Sequence, residues 1–176
     1  MNLRIPSRFL LMVLLFLGLT VQAEAQSKKP KSPPQSAEAT VGSLDIKVNY
    51  NAPSVRGREV WGELVPYGKV WRTGANSATT LEINQDVTIE GQKLAAGKYS
   101  IFTIPNNDKW TFIFNKEHDQ WGAYNYNEGK DALRVDVQAG KSAEFTEQML
   151  FDVTDEGRIV FRWADLETGF DLGPMK

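Results

Sequence analysis

From Leu44 onward, apolar and polar residues alternate with a period of two. Leu44, Ile46, Val48 and Tyr50 interleave with Asp45, Lys47 and Asn49, the pattern of a strand with one face toward a core. Further strands are expected at Thr80–Asn84, Val87–Glu90, Tyr99–Ile104, Leu133–Val137, Phe145–Thr154, Arg158–Trp163 and Glu167–Leu172. Trp110, Phe112 and Phe114 surround Ile113, so that strand is apolar on nearly both faces and belongs between two layers. Glu90-Gly91-Gln92-Lys93, Ala95-Ala96-Gly97-Lys98 and Asp155-Glu156-Gly157 read as turns. Helical spacing is confined to Glu59–Val65, which Pro66 ends, and to a short turn over Asn127–Ala132. Short strands at close spacing predict an all-β fold: an antiparallel β-sandwich, jelly-roll-like, with one or two short helical turns. A closed β-barrel is the alternative.

The alternation is absent at the N-terminus. Arg4 and Arg8 precede an apolar run, Phe9–Val21, and then Ala23-Glu24-Ala25. Thirteen residues are short for a membrane span, and small residues stand where a signal peptidase reads, so residues 1–25 are expected to be a signal peptide. Export to the periplasm or the medium follows, with no membrane span after cleavage. Residues 26–40, QSKKPKSPPQSAEAT, lack the apolar area that would offset chain entropy and read as a flexible tether. Residues 41–176 then form a single β-rich domain.

Composition narrows the chemistry. The chain has no cysteine and one histidine, which leaves no disulfide framework, thiol nucleophile or zinc cluster. A formal charge of −2 gives no basic surplus for nucleic acid. No nucleophile elbow, Walker loop, dinucleotide fingerprint or zincin motif occurs, and neither a cofactor nor a metal site is implied.

Two segments interrupt the strand rhythm and concentrate rings, glycines and amides: Trp61–Asn76 and His118–Asp131. In an extended run Trp71 and Arg72 point to opposite faces, so one of them is inward. An inward Arg72 needs a paired carboxylate, for which Glu63 and Asp119 are candidates, or several carbonyl acceptors. The ligand-binding set expected from these segments is Trp71, Arg72, Thr73, Asn76, Trp121, Tyr124 and Tyr126. Rings offer flat apolar faces and Arg72 and Asn76 offer directed donors, a combination suited to glycan faces and carboxylates. The competing reading places these rings in the core and makes Arg72 a loop clamp.

The same segments carry a resemblance. Tyr50–Arg58, Val65–Asn76, Ala96–Pro105, Phe114-Asn115-Lys116 and Gln120–Tyr124 resemble the secreted bacterial family called domain of unknown function 2911, over about residues 41–170. The resemblance implies export from a Gram-negative cell and a β-rich domain. It brings no activity, ligand or catalytic residue. The leading functional expectation is a non-catalytic extracytoplasmic binding domain for a small polar or glycan-like ligand. The alternatives are a structural envelope protein that meets an envelope partner, and a hydrolase using Glu63, His118, Asp119, Tyr124 and Tyr126 on an exported polymer.

Overall fold

The computed structural model describes residues 30–174. The signal peptide expected at 1–25 and the first residues of the expected tether lie outside the described residues. Nine strands run in chain order: β1 Pro34–Val41, β2 Leu44–Asn51, β3 Thr79–Ile83, β4 Val87–Ile89, β5 Gln92–Leu94, β6 Gly97–Ile104, β7 Lys109–Asn115, β8 Asp131–Val153 and β9 Arg158–Pro174. They form one sheet in the order β1-β2-β3-β6-β7-β8-β9-β4-β5, and every ladder between strands is antiparallel.

The sheet doubles over through its two longest strands. Residues 131–138 of β8 pair with β7, and from Ala139 onward β8 pairs with β9. Within β9 the chain reverses at Ala164, whose φ is 54°. Arg162 Nε meets Glu167 Oε2 at 2.6 Å, Arg158 meets Asp171 at 2.8 Å, and the Leu172 N–H reaches Gly157 O at 3.1 Å. A straight strand would hold Arg158 and Asp171 about 40 Å apart. Residues 158–163 and 166–172 therefore lie side by side, as the separate strands expected at Arg158–Trp163 and Glu167–Leu172.

Edge-on and tilted aromatic contacts join the two halves into a sandwich. Phe112 and Phe114 meet Phe170 at 5.0 and 5.2 Å, Trp110 meets Phe161 at 5.5 Å, and Tyr50 meets Phe151 at 5.2 Å. Alternation supplies the inward set: Ile46, Val48 and Tyr50 of β2 are buried, as are Ile159, Phe161 and Trp163 of β9. β7 is buried on both sides because a second small cluster, Phe102 and Ile113 with Val70, Ala123 and Tyr126, covers its outer face. The barrel alternative does not form: β1 and β5 end the strand order without pairing to each other.

Two local expectations are corrected. Residues 34–40, read as flexible tether, belong to β1 and pair with β2 from Pro34↔Asn51 to Val41↔Leu44. An edge strand needs few apolar residues when its backbone bonds and one partner face suffice, so composition alone misreads it. Glu59–Val65 is a turn and not a helix. The Val65 N–H bonds Val60 O at 2.8 Å and the Gly62 N–H bonds Val65 O at 3.0 Å, and Gly62 at φ 91° breaks any helical run. The short turn near Asn127 is a 3-10 turn, Glu128–Lys130, capped by the Asn127 side chain.

A candidate cationic cleft floored by tryptophan

The open end of the sandwich is built by chain that leaves the strands. After β2, Pro53–Arg58 is tied to β8 by the Val55 N–H on Glu147 O at 2.8 Å and the Met149 N–H on Pro53 O at 2.9 Å. Trp71 joins the edge of β6 through paired backbone bonds with Thr103, each 2.8 Å. The run Thr73-Gly74-Ala75-Asn76 then turns sharply. Thr79 Oγ1 donates to Thr73 O at 2.6 Å, Thr73 Oγ1 bonds Thr103 Oγ1 at 3.1 Å, and the Ala75 N–H bonds Asn51 O at 3.1 Å. A side chain at Gly74 would come within 3.2 Å of Asn51 O and 3.0 Å of Thr79 Oγ1, so any larger residue there forces these neighbours to shift by a few tenths of an ångström.

Between these segments lies a cleft of about 430 Å³. Trp71, Trp163, Leu64, Val65 and Pro53 give it apolar walls, and Lys31, Arg56, Arg58 and Arg72 also line it, with no Asp or Glu among the lining residues. Trp71 and Trp163 stack 5.9 Å apart at 16°, and Trp61 abuts both edge-on, at 6.2 and 5.7 Å. The guanidinia are held by carbonyls. Arg58 donates to Val55 O at 3.0 Å and to Ser54 O at 2.6 Å, and Arg56 donates to Lys31 O at 2.8 Å. The Arg56 backbone N–H donates to the Glu147 carboxylate at Oε1, 2.9 Å away.

Unsatisfied groups concentrate here. Among the described residues, four buried side-chain polar atoms have no hydrogen-bond partner. Three of these are N–H donors: Trp61 Nε1, Arg72 Nε and Trp163 Nε1. Arg72 and Trp163 line the cleft, and Trp61 packs behind it. Burial pushes the Arg72 guanidinium below its ordinary value, while the nearby Tyr124 acts in the opposite direction. The carboxylate partners expected for Arg72, Glu63 and Asp119, form no ion pair with it. Among the described residues five non-glycine residues hold positive φ; four lie in or next to the cleft's lining, and the fifth, Glu90 at 49°, lies in the β4–β5 turn. Arg56, Thr73, Asn76 and Ala164 hold φ values of 52°, 53°, 57° and 54°. Left-handed geometry at non-glycine residues costs about 1–3 kcal/mol each and persists where surrounding structure enforces it.

The expected site residues divide into three groups. Trp71 and Arg72 line the cleft, and Thr73 is fully buried beneath it. Asn76 is exposed: its amide lies 3.4 Å from Asn51 Oδ1, and its carbonyl accepts from the Gly122 N–H at 2.9 Å. Trp121, Tyr124 and Tyr126 sit on the 116–130 loop. Trp121 is 66% exposed and lines a separate cavity with Lys116, His118 and Asp119, and Tyr124 is 85% exposed. Tyr126 packs on Phe102 at 4.9 Å and bonds Asp131 at 2.7 Å and Arg134 at 2.6 Å. Burial, and next the bond to Asp131, push its hydroxyl up to about 12. Of the acid–base set, His118 and Asp119 share that separate cavity, while Glu63, Tyr124 and Tyr126 do not line it.

Lys31, Arg56, Arg58 and Trp163 were missed from sequence. The available signal was Val55-Arg56-Gly57-Arg58, two cations flanking a glycine directly after a strand. Lys31 and Trp163 reach the cleft only through the fold. The family model described as Protein of unknown function (DUF2911) matches residues 32–172. No curated protein and no solved structure matches the chain.

Proposed function

From the premise that the chain belongs to the DUF2911 family, we propose that it is a non-catalytic extracytoplasmic binding domain holding a small polar or glycan-like ligand in the Arg–Trp cleft. The leader expected at residues 1–25 supports the extracytoplasmic placement. One observation carries the binding reading: buried N–H donors of Arg72 and Trp163 lack acceptors in residues that line an open cleft. A buried donor left without a partner costs about 1–3 kcal/mol. Both atoms are closed to solvent, so a ligand acceptor recovers that cost by drawing the Arg72 or Trp163 side chain toward the cleft. Stacked indoles supply a flat face for a ring or an alkyl body. The strained turns at Arg56 and Thr73 support the same reading, because strain is retained where geometry serves a site.

The test is a fragment screen on 15N-labelled protein, read at the five tryptophan indole resonances. The expected hits shift Trp71 and Trp163 together and are lost in Trp71→Ala. Hits confined to the 116–125 loop would reject the cleft as the site. Fractionation of cells expressing the C-terminally tagged full chain tests export; retention of the uncleaved chain in the cytoplasm would reject it.

A further inference from the structure

We infer that the ligand of this cleft carries an oxyanion group (carboxylate, phosphate or sulfate) on an apolar or ring-shaped body. The inference rests on the binding reading above and names its ligand class. Four lining residues are cationic and none is acidic, although the whole chain carries a formal charge of −2. Among the described residues, every arginine outside the cleft meets a carboxylate: Arg134, Arg158 and Arg162. Lysines are mixed, with Lys47, Lys98 and Lys109 paired and Lys69, Lys93, Lys116, Lys130 and Lys141 not. Among the described residues, Lys31, Arg56, Arg58 and Arg72 form no ion pair. Clustering like charges around a shared hollow is unfavourable until a counter-charge enters.

The hydrogen-bond inventory points the same way. The unsatisfied buried atoms at and behind the cleft are all donors: Arg72 Nε, Trp163 Nε1 and Trp61 Nε1. A neutral polyol would bring donors as well as acceptors. A carboxylate or phosphate brings acceptors alone, and guanidinium forks bind it in bidentate fashion. Preorganisation adds to this. Arg58 is anchored on Val55 O and Ser54 O, Arg56 on Lys31 O, and each guanidinium keeps N–H groups beyond those bonds. Fixing the side chains beforehand lowers the entropic cost of capture. Leu64, Val65, Trp71 and Trp163 leave an apolar wall for the remainder of the ligand.

The experiment titrates the purified protein with phenyl phosphate, benzoate, phenyl glucoside and benzyl alcohol, following the indole and arginine Nε–H resonances. The expected result is saturable binding of phenyl phosphate or benzoate, with the Trp71, Trp163 and Arg72 signals moving together. Which of the two binds more tightly distinguishes phosphate from carboxylate. Affinity should fall several-fold as ionic strength rises, because the cations are partly exposed. Arg56→Gln and Arg58→Gln should each raise Kd at least tenfold, and Lys31→Gln should raise it less. Thermal unfolding accompanies each variant; if Arg58→Gln fails to fold, Arg56→Gln and Lys31→Gln decide the matter. If phenyl glucoside or benzyl alcohol binds the cleft as tightly as phenyl phosphate, unaffected by Arg56→Gln, the oxyanion inference is overturned while the cleft stands. If no probe moves a cleft resonance, both readings fall.

Discussion

The rings of Trp71 and Trp163 lie stacked, 5.9 Å between centroids and 16° from parallel. One comes from a loop beside β6 and the other from the corner at which β9 reverses. Their contact fastens the two halves of the sandwich at the end where the cleft opens, so packing and recognition draw on the same pair of side chains.

Trp163 is 1% exposed. Trp163→Ala should cost about 3–5 kcal/mol through lost burial and a residual cavity. Trp163→Phe should cost less than half as much, because it keeps a ring and removes an unpartnered buried N–H. Urea unfolding midpoints check the pair. A phenylalanine variant as unstable as the alanine variant would contradict the unsatisfied-donor assignment.

Arg56 holds φ 52° on an exposed turn. Arg56→Ala keeps that backbone geometry and loses the bond to Lys31 O, so it should destabilise by about 1 kcal/mol. Arg56→Gly loses the same bond but relieves the left-handed strain, and should stay within about 0.5 kcal/mol of the parent protein. Thermal unfolding of the two variants measures the difference. Equal losses would show that the turn is unstrained in solution.

Gly169 lies where the two runs of β9 pass each other. A Cβ there would sit 2.1 Å from Ile159 O, a backbone atom that has no rotamer to yield. Gly169→Ala should therefore exceed the about 1–3 kcal/mol of ordinary overpacking. Gly140→Ala, where no atom lies within 4 Å of the added carbon, should change stability by less than about 1 kcal/mol. Parallel chemical denaturation of both decides; a well-tolerated Gly169→Ala would refute the reversal within β9.

The Tyr126 hydroxyl is pushed up from 10 to about 12 in the folded protein, first by burial and then by Asp131. The fold thus favours the protonated form. This contribution is complete below pH 10 and is lost as pH rises toward 12. Tyr126→Phe should lower stability at neutral pH, by loss of the bonds to Asp131 and Arg134, and should flatten the decline between pH 10 and 12. Denaturation across that range in both proteins is the measurement, and identical slopes would refute the assignment.

The strand set was legible because period-two alternation is local: Ile46, Val48 and Tyr50 declare an inward face before any partner is known. The two-sided burial of β7 followed from Phe112, Ile113 and Phe114, and Arg158–Trp163 and Glu167–Leu172 were legible as two runs, although not the way the chain folds back between them. β1 was illegible, since Pro34–Val41 is mostly exposed and gains its order from β2. Residues 59–65 misled because Val60, Trp61, Leu64 and Val65 have helical spacing, whereas Gly62 and the β-bridge between Trp61 and Val65 make a turn.

The candidate site was legible only in part. Trp71 and Arg72 announced themselves as a ring and a cation in a loop interrupted by glycine. Trp121, Tyr124 and Tyr126 carried the same residue types, yet the fold places them on a loop that meets the Asn76 turn while none of the three lines the cleft. Side-chain type is a property of the chain, and shared walls are a property of the sheet register. The alternation of apolar residues alone determined that this protein is an antiparallel all-β fold; the strand order, with β1 and β5 unpaired at its ends, decided sandwich over barrel. Only the tertiary structure decided that Lys31, Arg56, Arg58 and Arg72 line one hollow with no Asp or Glu in its lining, because long-range strand pairing, which no local pattern encodes, sets which distant charges become neighbours.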